Sequence, residues 1–502
     1  MSLHRMFAVD FGASGGKCFA GRLEDGSFSM QEIHRFAHEG VPFHLPDRQG
    51  RMTERLFWDD IQLYHQIILG LQEYRRTIGP ELDSIGIDTW GADGCFFNAD
   101  SEAIGNIYCY RDHRLDVMVD EVKQHVDATR VYAITGIHFQ PFNLSNQLHW
   151  FATRRRDLLQ PGVFFLPVPS VFYYYLGGVK AVDSSWASVT QLMDARSRSW
   201  NEELLRALEI PAEILPPIVP PATLAGRLHA PLAERLGITR AHLATVGSHD
   251  TASAFAAAPV ADPDGALIIS SGTWSLIGKL IPEPITTPAA MAANLSNEGG
   301  IGNIRFLKNC MGQWIIQELR RVWRKTDGRE LPWKEIDQLT LAAAPFAAFI
   351  DPDDHRFYNP ADMEQTMAGY FSQTGQAAPS SRGAFLRAAY ESLALKYRLV
   401  NEQIGAVCGQ PTRIVHIVGG GSKVDMLNQF TANALALPVL AGPEEATAVG
   451  NLMAQAVALK ALPSMAAAQP VIRQAFPIRR FEPQNAPQWD EAYHRFRRIT
   501  HL

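Results

Sequence analysis

The chain has 502 residues, 46% of them hydrophobic and 20% charged, with a formal net charge of −6. That length exceeds what one compact core carries, so a division into two domains is expected, and the mild acidity gives no electrostatic ground for nucleic acid as a partner. The opening "MSLHRMFAVD" lacks a secretory apolar segment, no stretch reaches the ~18 unbroken apolar residues a bilayer needs, and Cys18, Cys95, Cys109, Cys310 and Cys408 follow no C-x-x-C spacing. A cytoplasmic chain with reduced thiols, no zinc site and no membrane partner is the expectation.

The first apolar stretch ends in "VDFGASGGKC" (9–18). Gly12 to Gly16 fits the G-x-S-x-G elbow of a serine nucleophile. Gly12 to Cys18 nearly fits a phosphate loop, one residue short and with Cys where a hydroxyl belongs. A third reading is a glycine turn between antiparallel strands, with backbone N–H groups facing a phosphate. "KCFAGRL" and "SFSMQEIHRF" read as strands joined by the hairpin signal Asp25-Gly26. A strand thus follows the turn, which excludes the elbow and the phosphate loop, since both require a helix there.

Residues 57–79 carry apolar positions Ile61, Leu63, Ile67, Ile68 and Leu71 behind Asp59 and Asp60, the pattern of an amphipathic helix. "LDSIGIDTWGAD" (82–93) reads as a buried strand ending at a glycine turn. The proline-rich 211–226 reads as an ordered surface connection. "ASAFAAAPVADPDG" (252–265) is a small-residue helix followed by a turn, which sets the expected domains at 1–255 and 256–502. The architecture then returns: "GALIISSGTWSLIGKLI" is strand, turn, strand, and "RIVHIVGGGSKVDMLNQFTANALALPVLAG" is strand, glycine run, helix, strand. Both halves therefore read as α/β with mixed sheets.

Several residues are candidates for chemistry. Asp250 follows a strand end and opens a helix, where it serves equally as an N-cap. Asp10, at the end of the first strand, either starts the turn or holds magnesium through water. Arg111 and Asp112 are an ion pair or a pair of polar ligand contacts. Trp274 reads as packing. Asn309 and Gln317 read as neighbours on one face of a helix.

Taken together, "VDFGASGGK", "SIGIDTWGAD", "YRDHR", "FQPFN", "SHDTASA", "SSGTWSL", "NEGG", "LKNCMG" and "HIVGGGS" make the sequence resemble the FGGY carbohydrate kinases over essentially its whole length. The resemblance implies two actin/hexokinase-like (ribonuclease H-like) α/β domains with mixed sheets flanking a central cleft. It implies ATP and Mg2+, with phosphoryl transfer to the terminal hydroxyl of a ketose, foremost a deoxyketose of the L-rhamnulose kind. L-fuculose or a xylulose-type ketose is the alternative, and a non-catalytic sugar sensor on the same fold is the rival outside catalysis. By the same resemblance Asp250 is the catalytic base. The sugar would be bound by Gly91, Arg111, Asp112, His249, Asp250, Thr251 and Asn309. The nucleotide would be bound by Ala13, Ser14, Gly15, Gly16, Lys17, Thr273, Gln317 and Gly420, with Asp10 (through water) and Asp250 serving the metal. Gly15 and Lys17 stand where the family usually has Ser and Arg, which loses a hydroxyl and a bidentate fork and implies weaker nucleotide affinity. "GADGC" departs from the large apolar residues expected after the tryptophan. Monomer and homodimer both remain open.

Overall fold

The computed structural model describes residues 3–46 and 49–502. Strands β1 (Leu3–Gly12) and β2 (Gly15–Glu24) form an antiparallel hairpin in which Gly12 pairs with Gly15, leaving Ala13 and Ser14 as the tip. Strand β3 (Ser27–Ala37) follows across Asp25 and Gly26, whose φ values of 48° and 83° are the left-handed pair that a two-residue hairpin demands. The glycines of the first turn have a different cause. Gly12, Gly15 and Gly16 are absent from the positive-φ positions; a Cβ on Gly15 would lie 2.9 Å from the Phe36 carbonyl oxygen, and one on Gly16 would collide with the Phe36 ring. Close approach of β3, rather than backbone handedness, requires Gly15 and Gly16; a Cβ on Gly12 would meet only the Gly15 carbonyl oxygen, at 3.4 Å.

Helix α1 (Asp60–Thr77) is capped by Asp59, whose Oδ1 accepts from the Gln62 N–H at 2.9 Å. Leu63, Ile67, Ile68 and Leu71 are buried as their spacing predicts, but Ile61 is 68% exposed. It sits in the first turn, about 200° round the axis from Leu63 at 3.6 residues per turn. Strand β4 (Ser84–Thr89) runs parallel to β1 with Asp88 opposite Asp10. Strands β5 (Thr223–Arg227) and β6 (His242–Thr245) complete a six-stranded sheet of order β5-β6-β4-β1-β2-β3, followed by helix α2 (Asp250–Ala256). Part of the proline-rich segment read as a connection is therefore strand. Its prolines end before β5, and Thr245 ties them down by donating to the Pro220 carbonyl at 3.1 Å. Because β1, β4 and β6 are parallel, their carboxyl ends share one edge, and Thr89 bridges to His249 beyond β6. Ligands of α/β sheets bind at such an edge.

The hairpin recurs as β7 (Ala266–Ser271) and β8 (Trp274–Ile281), with Gly272 and Thr273 at the tip. Strands β9 (Ser296–Gly299) and β10 (Ile304–Met311), helices α3 (Trp314–Asp327) and α4 (Arg382–Cys408), strand β11 (Ile414–Val418), helix α5 (Asp425–Leu435), strand β12 (Val439–Ala441), helix α6 (Ala446–Ala458) and strand β13 (Arg479–Phe481) follow. Their sheet has the order β9-β10-β8-β7-β11-β12-β13. Asn309 lies on β10, so it does not share a helix with Gln317; "IRFLKNCM" stays extended, and the turn at Gly312 and Gln313 precedes α3. In the second unit, α4 buries Lys396, whose Nζ sits 2.8 Å from Asp351 and 2.9 Å from Asp353.

Two compact units result. One comprises Met1–Ala257, Leu280–Phe306 and Ala446–Ala475; the other comprises Ala258–Lys279, Leu307–Glu445 and Phe476–Leu502. The first crossing falls two residues beyond the expected 255/256, but the single-boundary division is too simple, because β9 and α6 return to the first unit. Helix α6 does so for a packing reason. A Cβ on Gly450 would collide with the Ser253 carbonyl of α2, Asn451 reaches Asp88, and the Gln455 side chain donates to the Phe7 carbonyl at 3.1 Å. All five cysteines are unpaired with one another, and no helix among the described residues is long and apolar enough to cross a membrane.

Candidate active site

Carboxylates gather at the carboxyl edge of the first sheet. Asp10 and Asp88 stand in register on adjacent parallel strands, and Asp88 is fully buried. The Asn451 side chain donates to Asp88 Oδ2 at 2.6 Å, while Oδ1 has no donor facing it. Burial, then the Asp10 charge, hold the Asp88 carboxyl well above the ordinary range. Asp250 opens α2, its Oδ1 accepting from the Thr251 N–H at 2.6 Å. Burial, then Asp10, push the Asp250 carboxyl up from 3.8 to about 7. A carboxylate tuned near neutrality is suited to take a proton from a hydroxyl. The mutual repulsion of these groups, and the orphaned Asp88 oxygen, also fit a hard divalent cation. Among the described residues no three acidic, histidine or cysteine side chains converge as direct ligands.

Beside Asp250, the His249 imidazole is nearly enclosed. Its Nε2 is 3.6 Å from Asp250 Oδ1, and its Nδ1 is 3.5 Å from Glu298 Oε2. Arg305, from β10 and fully buried, donates to Thr251 Oγ1 at 2.7 Å, to His249 Nδ1 at 3.2 Å and to the Gly299 carbonyl at 2.9 Å, and it pairs with Glu298 at 3.1 Å. Burial, then the Arg305 charge, keep His249 well below its usual range, so the ring is neutral. Gly91 is required here because a Cβ would lie 2.8 Å from His249 Nε2.

Of the other sugar-side candidates, Asp112 is buried with its oxygens engaged. It accepts from Leu56 N at 2.7 Å and Arg114 N at 2.9 Å, and pairs with Arg114 at 3.6 Å and Arg55 at 3.7 Å. The expected ion pair with Arg111 is replaced by these, because Asp112 turns inward while Arg111 turns out over the Tyr110 ring, 5.2 Å from its centroid. Asp93 escaped notice in the sequence. At φ 74° it accepts from the Trp58 indole at 2.7 Å, the Trp90 indole at 3.1 Å and the Gln147 amide at 3.0 Å, and burial raises its carboxyl to about 6. These bonds fix Trp90 immediately before Gly91.

Among the nucleotide candidates, Ala13, Ser14, Gly15 and Gly16 make up the β1–β2 tip, and Lys17 pairs across with Asp10 and Arg35. In the second unit, Thr273 donates from Oγ1 to Gln317 Oε1 at 3.3 Å, and its carbonyl accepts from Gly312 N at 3.0 Å. Asn309 is exposed on β10, and Gly420 is exposed at the start of a short 3-10 turn after Gly419, whose φ is 82°. Trp274 does not pack inside. It is 41% exposed beside Tyr358, ring centroids 6.2 Å apart, because it starts β8 right after the tip.

Arg305, Glu298, Asp88 and Asn451 were not singled out from the sequence. The available signal was charge or amide inside apolar runs: Arg305 in "IRFL", and Asn451 with Gln455 in "VGNLMAQAV".

Residues 33–256 match the N-terminal domain, and 267–459 the C-terminal domain, of the FGGY family of carbohydrate kinases. A rhamnulokinase of Bacteroides thetaiotaomicron is 37% identical over 98% of both chains. One of Pectobacterium carotovorum is 36% identical over 100% of this chain and 97% of its own, and one of Bacillus subtilis 35% over 95% of each. Among solved structures, ligand-bound xylulose kinase from Lactobacillus acidophilus superposes with TM-score 0.78 at 14% identity, covering 99% of this chain and 97% of its own. Plasmodium falciparum glycerol kinase with ADP superposes with TM-score 0.77 at 13% identity, covering 100% and 99%. These likenesses show the actin/hexokinase-like fold, and with the domain matches they establish that the chain belongs to the FGGY family of carbohydrate kinases.

Proposed function

We propose that the chain transfers the γ-phosphoryl group of ATP to the terminal hydroxyl of L-rhamnulose, giving L-rhamnulose 1-phosphate and ADP. The observation that carries this reading is Asp250, a carboxylate held at about 7 at the carboxyl edge of the first sheet, beside a neutral His249. The full-length similarity to rhamnulokinases supports the choice of sugar. Asp250 accepts the proton of the attacking hydroxyl. His249 and Thr251 hold neighbouring sugar oxygens, and the backbone at Gly91 and the side chains of Arg111 and Asn309 complete the sugar contacts. Asp112, engaged as it is, shapes the pocket through Arg114 and the Leu56 backbone. The tip Ala13 to Gly16 offers N–H groups to phosphate and Lys17 offers a charge, while Thr273, Gln317 and Gly420 contact the nucleotide.

Asp10 and Asp250 fit a hydrated magnesium ion, which when bound neutralises charge on the phosphate oxygens. In this reading the reaction runs where ATP is supplied, in the cytoplasm. The experiment is to incubate the protein with L-rhamnulose, ATP and magnesium and to read the product by phosphorus NMR. A phosphomonoester coupled to the C1 protons is expected; a phosphate on another carbon, or ATP hydrolysis without sugar phosphate, overturns the reading.

A further inference from the structure

We propose that Arg305 is a positioning residue that fixes His249 as a hydrogen-bond donor, with its single ring proton on Nε2, and thereby keeps the His249 ring from competing with Asp250 as proton acceptor. The inference rests on the proposed kinase reaction for its kinetic consequence, but its structural content stands apart from any substrate. An arginine can only donate. Its terminal nitrogen lies 3.2 Å from His249 Nδ1, whereas the Glu298 carboxylate, the acceptor that would draw a proton onto Nδ1, is 3.5 Å away. Nδ1 therefore accepts, and the proton sits on Nε2. That edge faces Gly91, with Thr251 Oγ1 at 3.2 Å and Asp250 Oδ1 at 3.6 Å.

Two further hydrogen bonds and an ion pair keep the guanidinium in place. Its Nε donates to the Gly299 carbonyl, another nitrogen donates to Thr251 Oγ1, and Glu298 balances its charge. The Thr251 hydroxyl, which accepts from Arg305, also lies 3.3 Å from His249 Nδ1 and 3.2 Å from Nε2, so Arg305 sets the ring and the hydroxyl together. With Nδ1 accepting, the ring offers an N–H on the Asp250 side and does not compete with Asp250 for the proton of a polyol oxygen.

The direct test is nitrogen-15 NMR of the histidine side chains in the full chain, with the His249 signals assigned by their loss in His249→Gln. The expected result is an unprotonated Nδ1 and a protonated Nε2 in the wild-type protein; a protonated Nδ1 overturns the proposal whether or not any sugar is phosphorylated. The kinetic test uses amide mimics. Gln places an N–H near Nε2 and Asn near Nδ1, so His249→Gln should retain at least ~10-fold more kcat/KM for the sugar than His249→Asn, the scale of one well-placed donor. Equal losses in the two variants overturn it. Arg305→Met combined with Glu298→Gln, which leaves no buried charge unpaired, should give mixed His249 tautomers and a raised sugar KM with the ATP KM unchanged. An unmixed Nε2-protonated ring in that variant would show that Arg305 does not set the tautomer. Failure of the wild-type protein to phosphorylate any ketose would count against the kinase reading alone.

Discussion

Replacing Asp250 by Asn should cost activity and add stability, and the size of both effects follows from one number. The Asp250 carboxyl rises from 3.8 to about 7 on folding, with burial the larger cause and Asp10 the next. At ~1.4 kcal/mol per tenfold change, this places up to about 4 kcal/mol of unfavourable free energy on the ionised native site above pH 7. The folded value lies above the unfolded one, so the stability linked to this group is fully present below about pH 4. It is lost as pH rises through about 7. Asn keeps the acceptor for the Thr251 N–H and carries no charge, so Asp250→Asn should melt within a degree or so of wild type near pH 4 and roughly 5 °C higher at pH 8. Turnover should fall at least ~10²-fold, the scale of a lost general base, while wild-type kcat/KM for the sugar should rise tenfold per pH unit below about 7. Thermal unfolding of both proteins from pH 4 to 8, with a coupled ADP assay, reads all three. A variant that is less stable at pH 8, or that turns over near the wild-type rate, would refute the reasoning.

Gly91→Ala would set a methyl carbon 2.8 Å from His249 Nε2, so kcat/KM for the sugar should fall by up to ~10²-fold with the ATP KM unchanged; steady-state kinetics in both substrates checks this. Lys17→Arg restores a bidentate fork beside the β1–β2 tip and should lower the KM for ATP, an unchanged value counting against a nucleotide role for Lys17. Lys396→Met strands Asp351 and Asp353, which it meets at 2.8 and 2.9 Å, and should destabilise by about 3–5 kcal/mol. Urea unfolding measures that loss. It should leave the sugar KM alone in protein that remains folded.

Local order was legible in the sequence wherever chain neighbours decide it. Asp25-Gly26 specified the second hairpin, Asp59 the start of α1, and a strand after "GASGGK" was enough to reject a serine nucleophile. Distant partners were illegible. The glycines at 15 and 16 answer to Phe36, a residue on another strand, and Gly91 answers to a histidine far along the chain. Asn309 was misplaced on a helix because "LKNCM" lacks the β-branched residues that mark strands; its pairing in β10 overrides propensity. Asp112 turned toward Arg114 rather than its sequence neighbour for the same kind of reason, since burial selects the partner that faces inward. The interleaving of the two units follows from α6, whose Gly450 and Asn451 acquire meaning only against Ser253 and Asp88.

The central claim is a ketose kinase that prefers L-rhamnulose. Its most direct test is kcat/KM with ATP and magnesium across L-rhamnulose, L-fuculose, D-xylulose and L-xylulose in one coupled assay. The account predicts L-rhamnulose ahead of each of the others by at least ~10-fold, the discrimination that a hydrogen-bonding pocket yields against an epimer that leaves one buried group unpaired. Equal rates on all four sugars, or a preference for a xylulose, would contradict it.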